Sequence, residues 1–246
     1  MSKESRDEAD WHGRTRRGYM ILVCSALIVV PAVTFGSDIG EKIVLRAAPA
    51  RVEFSDRSTT WNSPTTFVGT IEPGVVVITS RYMALDTDGA PRQIRACDPS
   101  SSPNTSLRDP SGKAIDANAI SYFVLPGCED ATDRKRCEQN PPYKQLGVWL
   151  GNVAAVLVRD KVAFAIAADF GPEKQFGEGS IELHRQLGHE TVGKHPTNLA
   201  CAKDESLEAM TTFVIFLDAK AKWLSKTDIE KEASSRWREL LRKLDQ

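Results

Sequence analysis

Two carboxylates in the middle of the chain, Asp169 and Glu178, have the residue type and spacing for acid–base work. The apolar run Val162–Ala168 delivers Asp169 into a Gly171-Pro172 turn, and Glu178 follows nine residues later between Gly177 and Gly179. One carboxyl group can donate a proton while another withdraws one, which is the division of labour that glycosidic cleavage requires. The flanking glycines predict backbone that is open to close approach by a ligand. The residue types alone leave a second reading open, in which Asp169 caps a turn and residues 177–179 form a solvated loop.

Other side chains fall into the same chemistry. Asp86 and Asp88, in Asp86-Thr87-Asp88-Gly89, are reserve carboxylates or simply an Asx turn ahead of a glycine. Tyr122, Phe123, Trp149, Phe170 and Phe176 could offer ring faces to sugars, although strand alternation assigns most of them to the core. Phe170 and Phe176, beside the carboxylates, are the best placed. His184, His189 and His195 follow no familiar ligand spacing, so no metal is expected. Ser180 and His184 make a poor hydrolytic pair without a nucleophile elbow, and Ser180 reads instead as a helix cap.

The elements that must hold these groups are mostly short strands. Val75–Ile78, Ser121–Leu125 and Thr212–Leu217 are apolar runs bounded by turn residues. Val153–Val158 and Val162–Ala168, joined by Arg159-Asp160-Lys161, predict a hairpin. Residues 97–118, rich in Ser, Pro, Asp and Asn, predict a long surface loop. Ser180–Leu187 predicts a short helix. At the end, Thr227-Asp228-Ile229-Glu230 fits a capping box, followed by a stripe of Ile229, Ala233, Trp237, Leu240, Leu241 and Leu244. The fold class expected is mainly β: a small β-barrel, a double-psi form being one candidate, with peripheral short helices and a C-terminal helix.

The front end is an address. Arg14, Arg16 and Arg17 precede Tyr19–Phe35, a segment without charge, interrupted by Pro31 and followed by Gly36 and Ser37. Residues 1–36 therefore predict an export signal, with an uncleaved membrane anchor through residues 19–35 as the competitor. The expected location is secreted or periplasmic. Export makes the cysteines disulfide candidates: Cys128 with Cys137 around a polar insert, leaving Cys97 with Cys201. Residues 37–80 predict an extension packing on the body, and residues 81–246 the main domain. A formal net charge of −1 gives no nucleic-acid footprint.

In order along the chain, several motifs resemble those of glycoside hydrolase family 75, the chitosanases. They are Asp86-Thr87-Asp88-Gly89, Thr105-Ser106-Leu107, Ile115-Asp116-Ala117, Tyr122-Phe123-Val124-Leu125-Pro126 and Leu146-Gly147. The hairpin Val153–Ile166 follows, and then Asp169-Phe170-Gly171-Pro172 leading to Gly177-Glu178-Gly179-Ser180-Ile181. Departures are Gly151-Asn152 in place of Gly-Asp, Phe176 in place of a small aliphatic residue, and Phe216-Leu217-Asp218 in place of Phe-Pro-Gly. The resemblance implies an inverting, endo-acting enzyme on the β-1,4 bonds of chitosan, with Glu178 as acid and Asp169 as base. It implies that Asp86, Asp88, Phe170, Phe176 and Tyr122 serve substrate, with Asp86 or Asp88 meeting a glucosamine ammonium or replacing Asp169. A monomer without cofactors is expected. Two other classes stay open: a non-catalytic polysaccharide- or partner-binding protein, and a peptidoglycan-cleaving enzyme.

Overall fold

Apolar runs in which every residue is buried, such as Val75–Ser80 and Asn152–Val158, need partners on both faces, and a large sheet covered on two sides supplies them. The computed structural model describes residues 39–50, 65–128, 131–173, 176–194, 197, 199–203, 205–221 and 225–246. The N-terminal segment 1–36, with its expected export signal, and His195 lie outside the described residues.

In chain order the elements are α1 (Ile39–Arg46), β1 (Ala48–Pro49), β2 (Thr65–Glu72), β3 (Val75–Ser80) and β4 (Ala84–Asp86). A 3-10 turn at Ile94–Cys97 is followed by β5 (Tyr122–Pro126), α2 (Arg134–Gln139), α3 (Pro142–Gln145), β6 (Asn152–Val158) and β7 (Lys161–Gly171). The chain continues through β8 (Glu178–Ser180), α4 (Ile181–Gln186), β9 (Val192–Lys194), β10 (Ala200–Ala202), β11 (Thr211–Lys220) and α5 (Lys226–Leu244). Nine strands form one sheet in the order β1-β2-β3-β11-β6-β7-β5-β8-β4, and β9 pairs with β10 alone.

The fold is mainly β, as the strand pattern predicts. Closure into a barrel is not observed: among the described residues the sheet ends at β1 and β4, which do not pair with each other. The hairpin β6–β7 has the expected antiparallel register, from Val153↔Ile166 to Val158↔Lys161. At the functional end the pairing changes direction. Strand β5 runs parallel to β7, and β4 runs parallel to β8. Strands β2 and β3, from the 37–80 stretch, belong to the main sheet, with β3 paired to β11.

Alternation splits the core in two. Val75, Val77, Tyr122, Val124, Ile166 and Ala168 face one side, with α1 and α5 packed there through Ile43, Ile229, Ala233, Trp237 and Leu240. Val76, Ile78, Phe123, Leu125, Ala165, Ala167, Phe176 and Phe213 face the other. Helix α5 begins earlier than its sequence suggests. Ser225, not Thr227, is the cap: its hydroxyl accepts from the Asp228 amide at 3.2 Å and meets the Asp228 carboxylate at 2.5 Å. Two disulfides, Cys97–Cys201 and Cys128–Cys137, are present. The first ties the 3-10 turn to β10, and the second ties the chain just beyond β5 to α2.

Candidate active site

Strand β7 presents Asp169 through a defect. Phe123 pairs with Ala167 and Val124 with Asp169, so Ala168 is an extra residue in β7. This β-bulge returns Asp169 to the side shared by Tyr122 and Val124, which simple alternation after Ala168 would deny it. The sequence carries no sign of the bulge.

The Asp169 carboxyl group is 6% exposed as a residue, yet well held. Its Oδ1 accepts from the Ser106 amide at 3.0 Å, the Ser106 hydroxyl at 2.5 Å and the Phe170 amide at 2.8 Å. Its Oδ2 is buried and receives no hydrogen bond from the protein. Burial pushes the Asp169 carboxyl above the ordinary aspartate range, and the Ser106 and Phe170 donors pull against that shift.

Glu178 reaches the same place from β8, where it lies opposite Ala84. A methyl group added at Gly171 would lie 3.2 Å from Glu178 Oε2 and 3.0 Å from Val124 Cγ1. The Glu178 carboxyl therefore sits beside a position two residues beyond Asp169 on one strand. Residues two apart on a strand point to one face and stand about 7 Å apart. Gly177 and Gly179 do not leave room for a ligand as expected, because protein fills the space. A methyl at Gly177, where φ is +119°, would meet Ser80 Oγ at 2.5 Å, and one at Gly179 would meet Met83 Sδ at 2.8 Å. The glycines let β8 enter, and the entry aims Glu178.

Asp86 is the third carboxylate. It ends β4 opposite Ser180, and its Oδ1 accepts from the Asp88 amide at 2.8 Å, closing the Asx turn. Asp88 Oδ1 accepts from the Ser102 amide at 2.6 Å. Burial first, then the charge of Asp88, and further the charges of Glu178 and Asp169, hold the Asp86 carboxyl well above its ordinary range. The Asp88 amide opposes them. Asp86 and Glu178 are half-buried, so the site meets solvent on their side rather than through Asp169.

The aromatic expectations divide. Tyr122 is fully buried and its hydroxyl donates to the Asp88 carbonyl at 3.0 Å, bracing the acidic turn; it presents no face to a sugar. Phe176 is also fully buried, against Phe123 and Phe213, and is a core residue. Phe170 is half-buried and lies 4.6 Å from Tyr143, which meets Trp149 edge-on at 5.6 Å. Trp149 is 45% exposed. Tyr143 escaped the sequence reasoning because it lies in a Pro-rich segment without a strand pattern.

His184 is buried, with Nε2 3.1 Å from the Ala84 carbonyl, and burial lowers its pKa to about 4. It stays neutral and ties α4 to β4, next to Asp86. Among the described residues no cluster of His, Cys, Asp and Glu is arranged to hold a metal. Ser180 caps α4 by accepting from the Leu183 amide at 3.2 Å, and it also accepts from the Tyr122 amide at 3.0 Å.

Two departures from the family pattern have local reasons. The Asn152 side-chain nitrogen lies 2.9 Å from the Leu217 carbonyl and 3.2 Å from that of Phe216, while its oxygen accepts from the Trp149 amide at 2.8 Å. An aspartate could not donate to the irregular end of β11. Asp218 pairs with Arg236 of α5.

In the sequence Ser106 is only part of a loop motif, yet it supplies two of the donors on Asp169. A search of the curated proteins returned no match. The family model described as fungal chitosanase of glycosyl hydrolase group 75 matches residues 83–244, which include all three carboxylates, and the chain belongs to that family of glycoside hydrolases.

Proposed function

We propose that the chain is an endo-acting glycoside hydrolase that cleaves the β-1,4 bonds of chitosan with inversion. The observation that carries this reading is the approach of Asp169 and Glu178 to one strand segment: a methyl group at Gly171, two residues beyond Asp169, would lie 3.2 Å from Glu178 Oε2. Inversion requires the two carboxyl groups to stand roughly 6.5–9.5 Å apart, so that a water molecule fits opposite the leaving group.

Asp169 is the base. Its Oδ1 is committed to three donors that favour the ionised form, and Oδ2, buried and without a donor from the protein, is the oxygen that remains to act as the base. Glu178, half-buried, gives a proton to the glycosidic oxygen. Asp86 completes a three-carboxylate group that attracts a cationic polymer: a glucosamine ammonium beside it would stabilise its charged form. That acidity favours chitosan over peptidoglycan. Phe170 with Trp149 is the better remaining candidate for ring stacking.

The protein is exported and works as a monomer outside the cytoplasm. The uncharged segment Tyr19–Phe35 and the two disulfides support this reading. Incubating the purified chain with soluble chitosan and following the anomeric proton by NMR tests the reaction. New α-anomer ahead of mutarotation supports it. Release of sugar only from peptidoglycan, or tight chitosan binding without turnover, would replace it with one of the two other classes.

A further inference from the structure

The loop that the sequence presents as plain surface is stitched into the bulge of β7. The Leu107 amide donates to the carbonyl of Ala168, the bulge residue itself, at 2.8 Å. Thr105 is buried, its hydroxyl donating to the Leu107 carbonyl at 2.7 Å and accepting from the Ile115 amide at 2.8 Å. Between these two anchors Ser106 has little freedom. Both of its donors meet one oxygen, Asp169 Oδ1, and none reaches Oδ2.

From this geometry we infer that Ser106 is a positioning residue for the hydrolytic reaction: its hydroxyl fixes the rotation of the Asp169 carboxylate and helps to keep it ionised, leaving Oδ2 as the basic oxygen. The inference rests on Asp169 being the base. Ser106 contributes an amide that any residue would offer and a hydroxyl that only Ser, Thr or a weak thiol donor can replace. Removing the hydroxyl leaves the amides of residues 106 and 170 on Oδ1, so the carboxylate stays seated but holds its charge less well. Burial makes that charge harder to hold, and three other titratable groups stand nearby. They are Asp86 from β4, Tyr122 from β5 and Glu178 from β8. Among these the Ser106 hydroxyl is a local counterweight.

The test is the pH dependence of chitosan hydrolysis by the full chain carrying Ser106→Ala or Ser106→Thr. A hydrogen bond to a charged group is equivalent to about one pH unit. The acidic limb of kcat/KM in Ser106→Ala should therefore move up by about one unit, with kcat reduced and KM unchanged. Ser106→Thr should restore the limb. If the alanine variant does not fold, Ser106→Cys carries the same test with a smaller upward shift. A fall in rate that is even across pH, or no change at all, would overturn the inference. Asp169→Asn separates the two levels: if that variant keeps full activity, the assignment of the base fails. If it is inactive while Ser106→Ala keeps the wild-type limb, only the role of Ser106 fails.

Discussion

Gly171→Ala perturbs the proposed acid without touching its chemistry. The added methyl would stand 3.2 Å from Glu178 Oε2 and 3.0 Å from Val124 Cγ1, so neighbours must move by a few tenths of an ångström. Val124 is buried among core side chains, whereas Glu178 is half-buried, so the carboxyl group gives way. A misplacement of about 1 Å costs on the order of 10²-fold in rate, so a shift of about 0.3 Å should cost roughly fourfold, and tenfold at most. Gly171 is buried, so the overpacking should also cost about 1 kcal/mol of stability. Initial rates on soluble chitosan, with thermal melting on the same samples, read both quantities. The contrast is Gly179→Ala, where the methyl meets Met83 Sδ at 2.8 Å and Leu183 Cδ2 at 2.9 Å in the core. That variant should lose stability first, by about 1–3 kcal/mol. Unchanged kcat in a fully folded Gly171→Ala protein would refute the placement of Glu178 as the acid.

Asp86→Asn keeps an oxygen for the Asp88 amide and removes a carboxyl whose folded-state pKa is raised. A raised carboxyl is most favourable to folding below its unfolded value, 3.8, and costs stability as pH rises from there toward its folded value. The variant should therefore melt higher than wild type at neutral pH and no higher at pH 3, and its KM for highly deacetylated chitosan should rise. Paired melting curves at the two pH values check the sign, and a lower melting point at pH 7 would contradict it. Replacing Cys97 and Cys201 by serine opens a loop with a sequence separation of 104, against 9 for Cys128 and Cys137. The first change should cost about 2–4 kcal/mol and the second less, as denaturant unfolding of the oxidised proteins would report.

Much of the scaffold is legible in the residues because burial patterns dominate it. The hairpin β6–β7, strand β11 and the stripe of α5 follow directly from apolar periodicity, and Ser180 acts as the cap its position suggests. What the periodicity does not encode is partner choice between distant strands. The parallel pairs β5–β7 and β4–β8 bring Asp86, Asp169 and Glu178 together, and no local pattern announces them. The bulge at Ala168 is equally silent, although without it Asp169 would face the other side of the sheet. Tyr122 and Phe176 are fully buried, and ring type says nothing about depth. The role of Ser106 was hidden by composition, since a Ser- and Pro-rich stretch reads as solvated even when its backbone is pinned at both ends.

The most direct test of the central claim is the rate of reducing-end release from soluble chitosan by the intact chain, Asp169→Asn and Glu178→Gln. Both substitutions keep shape and remove acid–base capacity, so each should lower kcat by about 10²–10⁴-fold with the melting point near that of wild type. Near-wild-type turnover in either folded variant would contradict the carboxylate pair as the engine of this protein.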